Sequence, residues 1–320
     1  MTPRRTLLVD GDDIAWRAAL AAGRGGVGSE SLEPYLAAEI AMRLEAAQSR
    51  LGAHEIVIAL TDAENWRRGL WPGYKAHRAG RPRPPALAPA RRLLRTRWRA
   101  RQAPGLEADD LLGLMATGAS LAFGALGHDV KEDAKEGAEG DAQSGAPEPR
   151  LAAALRRERT PPPPRQDARD LARGASDGAQ RVVLSPDKDM RTTPCLLARP
   201  DGSVRAVSPD EADDQHAFLT LAGDASDGYP GCPGLGAVKA RRLLDAAMIE
   251  AAERDARGGR PAFAHGVPHA SPARWRAVAE AYRAAGRPLS EALAQARIAR
   301  VLRCGELTAD GRPRLFDPPW

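Results

Sequence analysis

Three short apolar runs punctuate the chain, and each leads into a carboxylate. They are Thr6-Leu-Leu-Val9 before Asp10, Glu55-Ile-Val-Ile-Ala-Leu60 before Asp62, and Arg181-Val-Val-Leu184 before Asp187. Continuous apolar runs of this length predict strands buried on both faces, hence a doubly wound, mostly parallel α/β sheet. Ligands in such sheets bind beyond the carboxyl ends of the strands, where the three aspartates would sit. One aspartate after a strand is ordinarily a turn or cap residue; three in one sheet point to a site. After Ser208 the pattern turns helical. Ala237–Ala256 has apolar residues at helical spacing, and Ser271-Pro272 and Ser290-Glu291 read as helix starts. A last helix over 290–303 places Ile298, Val301 and Leu302 on one face. The expected organisation is an α/β core over 1–124 and 180–207 and a helical subdomain over 208–320. Residues 125–179 are rich in Gly, Pro, Ala and charge, lack aromatic residues and carry the run Pro161 to Pro164. Such a segment buries too little apolar surface to offset its ordering entropy and predicts a disordered insertion.

Composition narrows the class. The 320 residues suit about two structural units. The apolar fraction leans on 63 Ala with only 14 aromatic residues, and the basic side is 42 Arg against 5 Lys. A net charge of +5 is compatible with a nucleic-acid partner without arguing for one. No apolar run of about 18 residues is present, so no membrane span is expected. The N-terminal MTPRRTLLVDGDD reaches acidic residues after three apolar positions and does not read as a signal peptide. Cys195, Cys232 and Cys304 are isolated, which argues against a disulfide framework or a cysteine zinc site. The expected location is a reducing cytoplasm.

Acidic residues then change the picture. Beyond Asp10, Asp62 and Asp187 stand Glu107, Asp109 and Asp110 at a helix start, Asp189 two residues past Asp187, and the i, i+3 pair Asp224 and Asp227. Singly, each is a surface charge or an N-cap. Converging, they would repel one another unless cations neutralised them. Oxygen-only ligand sets suit Mg²⁺ or Mn²⁺, and two such ions can activate water and stabilise the leaving oxygen of a phosphodiester.

Two basic stretches complement the acids. Gly231, Gly234 and Gly236 form a glycine turn ahead of Lys239, Arg241 and Arg242. Backbone N–H groups of such a turn opening a helix can hold a DNA phosphate without reading sequence. Upstream, aromatic residues alternate with Arg and Lys through Trp66, Arg67, Trp71, Tyr74, Lys75, Arg78 and Arg81. That interleaving suits a strand end whose base stacks while its phosphates are gripped. Burial of Trp66 and Trp71 in the core is the competing reading.

The ordered series LLVDGDD, LTDAENWRRGLWPGYKAHR, GLEADDLLGLMA, VVLSPDKDM and LAGDASDGYPGCPGLG resembles the 5′-nuclease (flap endonuclease-like) superfamily, in particular the stand-alone 5′-exonucleases of T-odd tailed phages. The resemblance implies a Rossmann-like (PIN-like), mostly parallel sheet with a helix-three-turn-helix DNA-binding element. It implies a first metal site of Asp10, Asp62, Glu107, Asp109 and Asp110, and a second formed or approached by Asp187, Asp189, Asp224 and Asp227. Lys75 and Arg78 would contact the scissile phosphate, Tyr74 would stack on the terminal base, and Arg81 with the Gly231–Gly236 turn, Lys239 and Arg241 would hold DNA, with a K⁺ ion on the turn carbonyls in some relatives. The implied activity is two-metal 5′→3′ exodeoxyribonuclease action on duplex ends, extending to RNA in RNA–DNA hybrids. A flap endonuclease is the enzymatic alternative and a silent DNA-end binding protein the non-enzymatic one. Two departures stand out. About thirty residues separate Lys75 from Glu107, too few for a long arch, and the 125–179 insertion lies outside the family pattern. No polymerase domain follows, so the nuclease is expected to act alone or by recruitment.

Overall fold

The computed structural model describes residues 4–119, 180–257 and 270–320; the expected insertion at 125–179 lies outside the described residues. The three apolar runs form three adjacent strands of a five-stranded sheet of order β2-β1-β3-β4-β5, with β2 at one edge. Its strands are β1 (Arg5–Asp10), β2 (Glu55–Ala59), β3 (Gln180–Leu184), β4 (Cys195–Ala198) and β5 (Val204–Val207). β1 lies parallel to both β2 and β3, with Leu8 beside Val57 and Val183, and only β5 runs antiparallel. Leu7, Leu8, Val182 and Val183 are fully buried, as a sheet covered on both faces requires.

One face carries α1 (Gly11–Arg24), α2 (Ser29–Leu51) and α4 (Leu87–Arg97). Asp10 caps α1, its side chain accepting the amides of Asp12 and Asp13. Gly11 lets that first turn lie against β2, because a Cβ there would sit 2.7 Å from the Ala59 carbonyl oxygen. α1 presents Ile14, Ala15, Ala18, Ala19 and Ala22 inward, so its alanines permit close helix–sheet contact. The other face carries α5 (Ala108–Ala116) over Leu8, Val57 and Val183. After α4 the chain pairs along the β2 edge, Leu60 N donating to Arg101 O and Arg101 N to Ile58 O, which delivers residues 105–110 to the carboxyl end of the sheet.

The helical unit comprises α6 (Pro209–Ala222), α7 (Ala237–Ala256), α8 (Pro272–Ala284) and α9 (Leu289–Ala299). Its core is Trp275, Tyr282, Leu221, Leu244 and neighbouring alanines. Buried Asp213 joins α6 to α8 by accepting Trp275 Nε1 at 2.9 Å and Ser271 N at 2.9 Å. The sheet agrees with the sequence pattern, and the local elements differ from it in two places. α9 begins at Leu289 and stops at Ala299, because Arg300 turns extended and sends Val301 and Leu302 into the sheet-side core. A short helix, α3 (Arg67–Leu70), occupies part of the stretch read as a basic loop.

Candidate active site

Four of the nine acids crowd at the carboxyl ends of β1 and β3. Asp10 ends β1, Asp187 caps a 3₁₀ turn (Lys188–Thr192) after β3, Asp189 lies inside that turn, and Asp109 sits in the first turn of α5. Burial, with the charges of Asp13 and Asp187, pushes the Asp10 carboxyl up to about 6. Burial and the nearby Asp187 and Asp10 hold Asp109 well above the carboxylate range. Burial, then Asp187, Asp227 and Asp224, push Asp189 up to about 8. The Oδ1 atoms of Asp109 and Asp189 are buried with no hydrogen-bond donor. Desolvation and like-charge repulsion therefore act together here, the condition that a cation relieves.

The remaining five acids, three of them from the expected first site, are engaged by donors. Asp110, fully buried, accepts Arg67 Nη1 and Nη2 at 2.7 Å each, Trp66 Nε1 at 3.1 Å and Leu302 N at 3.3 Å. Its lone pairs are filled, so it anchors structure and has no oxygen left for a metal. Glu107 accepts Lys75 Nζ at 2.6 Å, Tyr74 Oη at 2.7 Å and Arg67 Nη1 at 3.1 Å. Burial alone would raise its carboxyl, but Arg67 and Lys75 overcome that and hold it at about 2. Asp62 turns away and braces the 102–105 loop, accepting Gln102 Nε2 at 2.9 Å and Gly105 N at 2.8 Å. Asp224 pairs with Lys188 Nζ at 2.8 Å, and Asp227 accepts Arg78 Nη2 at 2.8 Å and Tyr74 Oη at 3.0 Å. Among the described residues, no three His, Cys, Asp or Glu side chains stand as a set that could hold a metal ion in their present rotamers.

The basic stretch folds onto these acids. Lys75 takes the left-handed conformation at φ 53°, its amide donating to Asp227 O and its ammonium reaching Glu107. Arg78 bridges Asp227 and the Ser226 carbonyl. Tyr74 corrects the stacking expectation. It is 2% exposed within a cluster of Leu219, Tyr229 and Ile298, so its ring offers no platform to a base. Trp66 and Trp71 are half-buried, between the two readings, and Arg81 stands exposed.

The glycine turn divides. Gly231 is buried, at φ 70°, and a Cβ there would lie 2.3 Å from Gly223 N; it is a packing position, not a phosphate contact. Gly234 and Gly236 have open space around them, and Lys239 Nζ donates to the Gly234 carbonyl at 3.2 Å. Arg241 points inward, pairing with Asp214 at 2.5 Å and lying over the Phe218 ring.

Arg67 belongs to the aromatic-interleaved stretch expected to grip phosphates, yet its side chain is buried. It is 2% exposed, and all its side-chain nitrogens are used: Nε and Nη2 also donate to the carbonyls of Ile298 and Arg300. It ties α5 to the end of α9. Its neighbour Trp66, which shares Asp110 with it, is the sequence signal that could have marked it as buried. Asp12 is a second omission, accepting Thr61 N at 3.0 Å and pairing with Arg91.

No protein-family model matches the chain. It is 27% identical over 262 residues to a phage T3 protein named exodeoxyribonuclease, covering 78% of this chain and 69% of that one. It is 28% identical over 186 residues to a phage T7 exonuclease, covering 57% and 44%. Solved structures similar to it include phage T5 5′-exonuclease with bound zinc (12% identity, TM-score 0.49, 92% and 89% coverage) and a phage T5 flap endonuclease complex with DNA and metal ions (13%, 0.48, 91% and 88%). Through the T3 and T7 proteins, this chain is a nuclease similar to the phage exonucleases.

Proposed function

We propose that the chain is a divalent-metal-dependent 5′→3′ exodeoxyribonuclease that degrades duplex DNA, and RNA in RNA–DNA hybrids, to 5′-phosphate nucleotides. One observation carries this reading: Asp10, Asp109, Asp187 and Asp189 are forced together at the sheet's carboxyl end, with two buried oxygens lacking any donor. An all-oxygen, electrostatically strained set fits Mg²⁺ or Mn²⁺. Two bound ions would supply charge neutralisation, water activation and stabilisation of the leaving oxygen.

Asp10, Asp109 and Asp187 would hold one ion. Asp187 and Asp189 would hold the other, with Asp224 and Asp227 approaching it once they exchange Lys188 and Arg78 for the metal. Lys75 and Arg78, released from Glu107 and Asp227, would then face the scissile phosphate and stabilise developing charge. Arg67 keeps Glu107 and Asp110 fixed during that exchange, because its own contacts are buried. The exposed Gly234–Gly236 turn with Lys239 would grip the duplex backbone, acting as the helix-three-turn-helix of the helical unit. A K⁺ ion on the Gly234 carbonyl would have to displace the Lys239 ammonium.

Product analysis tests the reading. On a 5′-labelled blunt duplex with Mg²⁺, mononucleotides are expected, and EDTA should abolish them. A flap-length product from a 5′-flap substrate, with the blunt duplex intact, would replace the exonuclease by a flap endonuclease. Binding without cleavage would overturn both.

A further inference from the structure

Behind Asp10, on the side away from α5, α1 and α2 enclose a cavity of about 190 Å³ against the ends of β1 and β3. Its position is the switch point of the sheet: the chain passes from β1 outward to β2, then returns to place β3 on the other side of β1. In open α/β sheets the crevice at such a point takes ligands, nucleotides among them. The wall is apolar, supplied by Ile14, Leu51 and Leu184 among others. The rim is cationic, with Arg17, Arg43, Arg50 and Arg199 set against Asp10 and Asp13.

The arginines keep donors to spare. Arg17 uses Nε on Asp13, at 2.9 and 2.7 Å. Arg43 uses one Nη on Glu39, and Arg50 one Nη on the Pro200 carbonyl. Each guanidinium carries five N–H donors, so these contacts leave several unused among residues that line the cavity. Guanidinium forks match phosphate oxygens, and their charge survives at any physiological pH. A ligand with a flat apolar body and a phosphate satisfies wall and rim together, whereas free phosphate uses only the rim and a nucleoside only the wall.

We propose that this cavity is a binding site for a nucleoside 5′-monophosphate. Resting on the nuclease reading above, its role would be to receive the released nucleotide, since Asp10 forms both a corner of the cavity and part of the acid group. The mononucleotide product should then inhibit the enzyme competitively with DNA ends, through a site built of arginines rather than metal.

Calorimetric titration in EDTA, which removes any ion from the acids, provides the test. The probes are deoxyadenosine 5′-monophosphate, deoxyadenosine and inorganic phosphate. Wild type should bind the monophosphate saturably and each fragment at least about tenfold more weakly. Arg199→Glu and Arg50→Glu, both exposed positions, should weaken monophosphate binding about tenfold or more while leaving the melting profile in place. Absence of saturable binding to wild type, equal binding of phosphate alone, or indifference to both substitutions would overturn the proposal. Because the titration needs no cleavage, a failure of the nuclease reading would appear in the product assay and not here.

Discussion

Asp109 and Asp110 follow one another into α5, and their surroundings pull them in opposite directions. Asp110 is saturated by the Arg67 fork, while Asp109 faces Asp10 and Asp187 with an oxygen that no donor reaches. Replacing Asp110 by Asn removes the closer of the two carboxylates that neutralise the buried Arg67 and leaves only Glu107, which costs up to about 3–5 kcal/mol. Chemical denaturation should report a loss of that order. Asp109→Asn removes a like-charge contact, so in EDTA its midpoint should equal or exceed that of wild type, with cleavage abolished. Equal destabilisation by both substitutions would contradict the division of roles. The sequence placed both residues in one acidic cluster, correctly as to location. It could not separate them, because the partner that distinguishes them, Arg67, lies over forty positions away and looks like an exposed cation beside Arg68.

The element that most repays attention is the turn between α6 and α7. Gly231 packs against the end of α6, whereas Gly236 opens to solvent at the start of α7. Gly231→Ala should destabilise by about 2 kcal/mol or more, since a Cβ meets backbone and φ is positive. Gly236→Ala should stay within about 0.5 kcal/mol in a urea melt. Lys239→Ala should weaken duplex binding and lower the salt slope by about one charge, a titration of binding against ionic strength being the check. Both glycines share one short motif, and only the packing of the preceding helix tells the structural one from the exposed one. Strands and long helices were legible because apolar periodicity is local. The early end of the last helix was not, since Val301 and Leu302 leave it for a core built by the other unit.

Across the whole molecule, the small net charge of +5 is a difference between two organised sets, acids gathered at one end of the sheet and cations folded over them. Without metal, this arrangement should tie stability to pH in a definite sense. Asp189 and Asp10 titrate near 8 and 6 in the folded chain against an ordinary value of 3.8, so the folded state holds more protons than the unfolded one in that window. Stability in EDTA should therefore fall as pH rises from about 4 to about 8. His216 works the other way at lower pH. Its burial, with Arg300 and Arg303 nearby, keeps it neutral, so it offsets part of the carboxyls' gain as pH drops below about 6.5. Thermal melts in EDTA should show higher stability near about pH 5 than near about pH 8, and divalent metal should flatten that difference.

The most direct measurement compares hydrolysis of a 5′-labelled duplex in Mg²⁺ by wild type, Asp109→Asn and Asp187→Asn, with duplex affinity measured in parallel. Cleavage should fall by at least about a hundredfold in both variants while affinity changes little, because chemistry and grip reside on different residues. Hydrolysis retained in both variants would contradict the assignment of the acid group as the metal-dependent centre.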